Sequence, residues 1–326
     1  MTVDDTVAVV CPAPGAVEVR AVRRARLGAD EVLVRTRYSG VSNGTDRWTM
    51  TDRFGWEAMR YPLVPGYQRS GVVEAVGSAV TAFEPGQAVA VTSSTGLLDV
   101  SGWGGHVALA AAHESEVLDA EGVDAQAAAL VVVAQVGVNA VSRIVAPLGA
   151  RVAVIGDGVG GASGALAALA RGFDVLVLGR HEERLAPLGR LGPRTSDAGS
   201  AGAADLAAWR PEVVIDTVQS DESFASYVEV LPLRTGQIVF SGHATDGAEG
   251  WGSMTRLQQR ELTATFVSGW THERLEQTLR LMRIGRLPLE RLVGHVARGP
   301  HDIAITMRDV VDGRLRPPAT LLDWSD

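Results

Sequence analysis

Up to about residue 113 the apolar positions come in short runs punctuated by glycine. Examples are VAVV at Val7–Val10, EVLVRTRYSGV at Glu31–Val41, GVVEAVG at Gly71–Gly77, AVAVTS at Ala88–Ser93 and GHVALA at Gly105–Ala110. Runs of that length and spacing predict a compact, mainly antiparallel β unit. From Asp124 the texture changes. Ala127–Ile144 is rich in alanine and valine and has helical length, and strand and helix patterns then alternate through RVAVIG, GASGALAALARG, DVLVLG, EVVIDTV, ESFASYVEVL and QIVFSG. Nearly continuous apolar strands separated by helices predict a parallel sheet covered on both faces. His272–Ile284 is amphipathic, with Leu275, Leu279 and Met282 at helical spacing. The remainder has strand-like ends that return to the first unit, which divides the chain into 1–133, 134–270 and 271–326.

The first strand of the alternating region, Arg151–Ile155, runs into Gly156-Asp157-Gly158-Val159-Gly160-Gly161 and then a helix. Between a strand and a helix this GxGxxG spacing is a dinucleotide site. The first glycine allows the turn, the second admits a pyrophosphate to the backbone, and the third lets helix and strand pack closely. The helix start at Val159 and Gly160 supplies free N–H groups and a positive dipole end to the phosphates. The next strand ends at Gly179-Arg180-His181, where an NAD site would offer an acidic side chain to the ribose. Gly179 reads as room for a 2′-phosphate and Arg180 as its partner, with Arg184 a second charge one turn on, so the expected cofactor is NADPH. Val218, Gly242 and His243 close later strands and are expected near the nicotinamide half.

Composition narrows the chemistry. All 30 basic residues are arginines, which excludes a lysine Schiff base or lysine proton donor. The single cysteine, Cys11, excludes an internal disulfide and a cysteine-rich zinc site. A net charge of −8 argues against nucleic acid or an anionic membrane as partner. The opening MTVDDTVAVV lacks a secretory pattern and no apolar stretch has bilayer length, so the expectation is a cytoplasmic protein.

Taken together, SGVSNGTD, YPLVPG with GVVEAVGSAVTAFEPGQAVAV, GGHVALA, GDGVGG, QIVFSGH, ELTATFVSGW and LPLERLVGHV resemble the medium-chain dehydrogenase/reductases. The resemblance implies an α/β chain with a GroES-like β-rich catalytic domain, a doubly wound parallel Rossmann domain inserted into it, and a homodimer acting on a small-molecule substrate. Zinc-dependent members carry a cysteine in the first motif, a histidine after the Pro-Gly turn and a third ligand in the helix before the Rossmann strand. Those places fall here at Ser42 or Asn43, at Tyr67 and near Val131, and none is a good zinc ligand. The expected enzyme is therefore zinc-independent. Asn43-Gly44-Thr45-Asp46 is similar to the NxxD motif of C=C-reducing quinone and enoyl reductases. The longer likeness, SGVSNGTDRW with YPLVPGY, is to the bacteriochlorophyllide dehydrogenase branch, which interconverts an alcohol and a ketone.

Without a Lewis acid, hydrogen-bond donors must stabilise the charge that develops on the hydride acceptor. Tyr67 stands at the vacated metal position and is the expected donor, Asn43 a second. Asp46 is expected to orient Arg47 or relay a proton, and Gln68 to make a structural hydrogen bond. Trp48, Phe54, Trp56 and Met59 are candidates for an apolar substrate wall, whereas His106 and His113 read as ordinary strand and loop residues. The expected reaction is NADPH-dependent hydride transfer to or from C=O or C=N, the alternatives being C=C reduction and a cofactor-binding protein without catalysis.

Overall fold

The structure, a computed structural model, describes residues 4–54, 58–199, 202–242 and 252–325. The chain divides into two units. One is built from Met1–Val132, Leu275–Arg283 and Val293–Asp326, the other from Val133–Arg274 and Ile284–Leu292. His243 and Trp56 lie outside the described residues.

In the first unit the long strand Glu31–Gly40 is the hub. It pairs antiparallel with Arg69–Val76, with Leu109–His113 and with Ala319–Asp323, so the chain's last strand joins a sheet begun near its start. The sheet continues through Ala88–Val91 and Val117–Asp119 on one side and Val293–Arg298 on the other. The alternation read from the sequence places Val32, Val34, Val73, Val89, Val91 and Val117 in one buried cluster. A second cluster joins Val9, Cys11, Met50 and Leu63 to Ile303, Met307 and Trp324 from the other end of the chain. The alanine-rich stretch forms two helices, Ala125–Ala128 and Val131–Ser142. The first is capped by Asp124, whose carboxylate accepts from the backbone N–H groups of Gln126 and Ala127.

Arg69 is a costly member of this core. Its side chain is fully buried, and among the described residues it has no carboxylate on it and holds Thr36 Oγ1 at 3.3 Å, Ser94 Oγ at 3.2 Å and the Ala110 carbonyl at 3.4 Å. Burial drags its pKa down to about 9, which still leaves it charged at neutral pH. Ser94 Oγ keeps its own bond to the Gly104 carbonyl, so removing the guanidinium strips Thr36 Oγ1 and the Ala110 carbonyl of long contacts at 3.3 and 3.4 Å. Arg69→Met is expected to raise stability by about 1–3 kcal/mol in urea unfolding; a loss of stability would show that the three long bonds outweigh desolvation.

The second unit is a six-stranded, all-parallel sheet. Its order is Arg194–Asp197, Asp174–Gly179, Arg151–Ile155, Val213–Asp216, Gln237–Ser241 and Thr263–Val267. Strand order reverses at Arg151–Ile155, the switch point at whose carboxyl end doubly wound sheets bind ligands. Ala153, Leu176, Val214 and Ile238 form the core beneath it with Phe224 and Tyr227.

Candidate active site

The glycine turn leaves the switch-point strand at its carboxyl end. Gly156 has φ +118°, which strains any residue with a side chain, and a Cβ there would lie 2.2 Å from Thr217 Oγ1. A Cβ on Gly161 would lie 2.1 Å from the Gly156 carbonyl oxygen, so helix and turn are in contact at that point. Beside Gly158 and Gly160 the corresponding space is open. Gly158 also caps the helix Val159–Ala170 without a side-chain bond to its first N–H groups. An open cradle of backbone donors at a helix start fits a pyrophosphate. Sequence reasoning missed Gly137, whose Cβ would lie 2.2 Å from Gly164 N and 2.7 Å from the Gly160 carbonyl. A glycine inside a helical run was its available signal.

The end of the next strand departs from the reading above. The room expected at Gly179 is filled by Asp157, whose Cβ would sit 2.5 Å from a Cβ at 179. The Asp157 carboxylate accepts from the backbone N–H groups of Arg180 at 2.7 Å and His181 at 2.9 Å, from His181 Nδ1 at 2.8 Å and from Arg184 Nη1 at 3.0 Å. Burial alone would push this carboxylate up. The donors of His181, Arg180 and Arg184 outweigh it and hold the group below the usual aspartate range. Arg184 pairs with Asp157 through Nη1, while Arg180 is exposed.

Farther along the sheet, buried Asp216 organises the loop that carries Val218. One oxygen accepts from the backbone N–H groups of Val218 and Gln219, the other from Ser223 Oγ and Tyr227 Oη. Gln219, at φ +55°, donates to the Ser241 and Gly242 carbonyls at 3.1 Å each, tying two strand ends together. Val218 is half-exposed beside this bridge, and Gly242 has φ +98°.

In the first unit, Gly66 at φ +87° delivers Tyr67 into the interior; a Cβ at 66 would strike the His106 ring at 2.8 Å. Tyr67 is buried edge-on to Trp103, which stands in turn against Phe54, and Phe54 against Trp48. Burial and the Asp46 charge push the phenol up to about 12, against the opposing hydrogen bonds of Ser42 and Thr45. Met59 packs instead on the core cluster of Met50 and Leu63. Gln68 is buried and makes a structural pair, its amide reaching the Gly40 carbonyl at 3.3 Å.

Two other expectations change. Asn43 is exposed and its amide donates to the Leu315 carbonyl at 3.5 Å. Asp46 does not orient Arg47, whose Nε donates to the Val311 carbonyl. Its partner is His106, read above as an ordinary strand residue. Both side chains are buried, with His106 Nε2 3.2 Å from Asp46 Oδ2, which also accepts from Ser42 N at 2.8 Å. His106 Nδ1 lies 2.9 Å from Ser39 Oγ, which accepts from Trp324 Nε1 at 3.0 Å. The Asp46 carboxylate accepts from Nε2, and in the tautomer with the proton on Nε2 the Ser39 hydroxyl donates to Nδ1. Asp46 Oδ1 is buried without a partner among the described residues. His113, by contrast, is exposed and caps a short 3₁₀ turn through Ser115.

The residues present do not fit the zinc held by some members of the family resembled above. Ser42, Tyr67 and Val131 supply no ligand set, and no three His, Cys, Asp or Glu side chains among the described residues are grouped to hold a metal ion.

Residues 28–122 match the alcohol dehydrogenase GroES-like domain. No curated protein matches the chain. Solved structures share its fold over nearly its whole length. A thermostable alcohol dehydrogenase from Pyrobaculum aerophilum is 22% identical with a TM-score of 0.83, covering 98% of this chain and 100% of the other. A zinc-binding dehydrogenase, so described, from Sinorhizobium meliloti 1021 bound to NADP is 18% identical with a TM-score of 0.84, covering 98% and 99%. A short chain alcohol dehydrogenase from Escherichia coli CFT073 complexed with NADH is 18% identical with a TM-score of 0.79, covering 98% and 99%. The chain therefore carries an alcohol dehydrogenase GroES-like domain and a Rossmann-like parallel-sheet domain in the fold of the medium-chain alcohol dehydrogenases. No described helix is long and apolar enough to cross a membrane.

Proposed function

We propose that the protein is a zinc-independent, NADP(H)-dependent oxidoreductase that moves hydride to or from a C=O or C=N group of a small organic molecule. The observation that carries this reading is the Tyr67 phenol, buried in hydrogen-bond reach of Ser42 and Thr45 and held protonated beside Asp46, inside a domain of alcohol dehydrogenase type.

The backbone of Gly158–Gly161 and the helix start at Val159 would hold the pyrophosphate, and Arg180 the 2′-phosphate. When bound, the cofactor supplies or accepts the hydride. Tyr67 Oη–H donates a hydrogen bond to the oxygen or nitrogen on which negative charge gathers. Its pKa of about 12 keeps the proton in place at neutral pH yet lets it pass to a more basic alkoxide. Ser42 and Thr45 stabilise the phenolate left behind. The buried Asp46–His106 pair, which touches Ser42 through its backbone N–H, fixes the loop from which both hydroxyls project.

Purified protein with a panel of ketones, imines and enones, followed by NADPH absorbance, tests the reaction; turnover confined to enones would replace it with C=C reduction. For the cofactor, Arg180→Ala is expected to weaken NADPH binding about tenfold and leave NADH binding unchanged. No tighter binding of NADPH than NADH by the wild type would refute the NADP(H) assignment.

A further inference from the structure

An ordinary dinucleotide site ends its second strand in an acidic side chain whose two oxygens face the ribose diol. Here that strand ends in Gly179, and the carboxylate reaches the same volume from the opposite side, out of the glycine turn. The three atoms nearest a Cβ at 179 all belong to Asp157: its Cβ at 2.5 Å, Oδ2 at 2.6 Å and Cγ at 2.9 Å. Gly179 lacks a positive φ, so occupied space, and not backbone conformation, explains the glycine.

The direction of the Asp157 oxygens matters as much as their place. Oδ2 carries three donors, the backbone N–H groups of Arg180 and His181 and the His181 ring, and Oδ1 carries the Arg184 guanidinium. All come from the single segment Arg180–Arg184. A carboxylate has about four lone-pair sites, and three donors on one oxygen with a guanidinium on the other turn the group inward. With the side chain only 7% exposed, little of it faces a ligand. Its charge is answered by Arg184 within the protein, while Arg180 next to the anchored amides stays exposed.

We propose that Asp157 is the positioning residue for cofactor choice: by turning its carboxylate onto Arg180–Arg184 it withdraws the acceptor a ribose diol needs and fixes Arg180 to receive a 2′-phosphate. The inference rests on the NADP(H) reading above. A merely structural loss at 157 would weaken both cofactors alike, so the informative quantity is the ratio of their affinities.

Full-length wild type, Asp157→Asn, and the exchange variant Asp157→Gly with Gly179→Asp are titrated with NADPH and NADH by nicotinamide fluorescence, with circular dichroism melts to establish folding. Asp157→Asn loses the charge that gathers the segment's donors and is expected to reduce the NADPH-over-NADH ratio at least about tenfold, chiefly through weaker NADPH binding. The exchange variant returns a carboxylate to the strand end with its oxygens toward the ribose and is expected to prefer NADH. It refills the vacated volume and so also serves if Asp157→Asn does not fold. A wild type that prefers NADPH, together with folded variants that keep its ratio or bind NADPH more tightly, overturns this inference alone. A wild type without NADPH preference overturns the NADP(H) reading and this inference with it.

Discussion

Tyr67→Phe is expected to lower turnover by about 10²–10³-fold while leaving NADPH affinity unchanged, the cost usual for one donor lost at a developing oxyanion. The phenylalanine ring keeps the edge contact with Trp103, so packing is conserved and only the hydroxyl is lost. NADPH dissociation constants by fluorescence and steady-state kinetics on any substrate accepted by the wild type separate the two quantities. Unchanged turnover would reduce Tyr67 to an aromatic filling the volume that relatives give to metal. The pH profile is a second check. Because the phenol is pushed up to about 12, Tyr67 should cause no alkaline fall in activity below about pH 10. The same shift favours the folded state below the tyrosine's ordinary value of 10, and that contribution is lost as pH rises through 12.

His106→Leu is expected to destabilise the first unit by about 3 kcal/mol, visible as a lower midpoint in urea and a Tm several degrees down. The substitution leaves Asp46 buried with only the Ser42 N–H, since Oδ1 already has no partner among the described residues. It also strands Ser39, whose hydroxyl now serves His106 Nδ1. Combining His106→Leu with Asp46→Asn removes the buried charge and should recover part of the loss, so the double variant is less destabilised than the sum of the singles. Strict additivity, or a loss below about 1 kcal/mol, would mean that the pair is not the anchor of this loop.

The sequence made the parallel sheet, the β-rich unit and the glycine turn legible because each depends on local periodicity. Period-two alternation, apolar runs of strand length and glycines at fixed offsets act within a few residues. Tyr67 was singled out by the resemblance instead, as the residue after Pro-Gly where zinc-dependent members carry a histidine. His106 was not, because its role depends on Asp46, 60 positions away, and on Ser39, 67 positions away. A lone histidine in a strand carries no mark of such partners. The Gly179 reading failed for a related reason: a missing side chain looks like empty space until the neighbour that fills it is known.

By itself the sequence determined which atoms this protein lacks. It has no lysine, no cysteine, histidine or acid at the three places to which the family resemblance assigns zinc ligands, and no acidic side chain at the end of the second Rossmann strand. Only the tertiary structure decided what surrounds Tyr67 and Gly179: a buried Asp46–His106 pair whose charge helps push the phenol up, and a carboxylate delivered from the glycine turn 22 positions before the glycine it packs against. Composition is a property of the chain. The partner of a buried charge is a property of its closure, because desolvation leaves the charge only the donors that folding brings within reach.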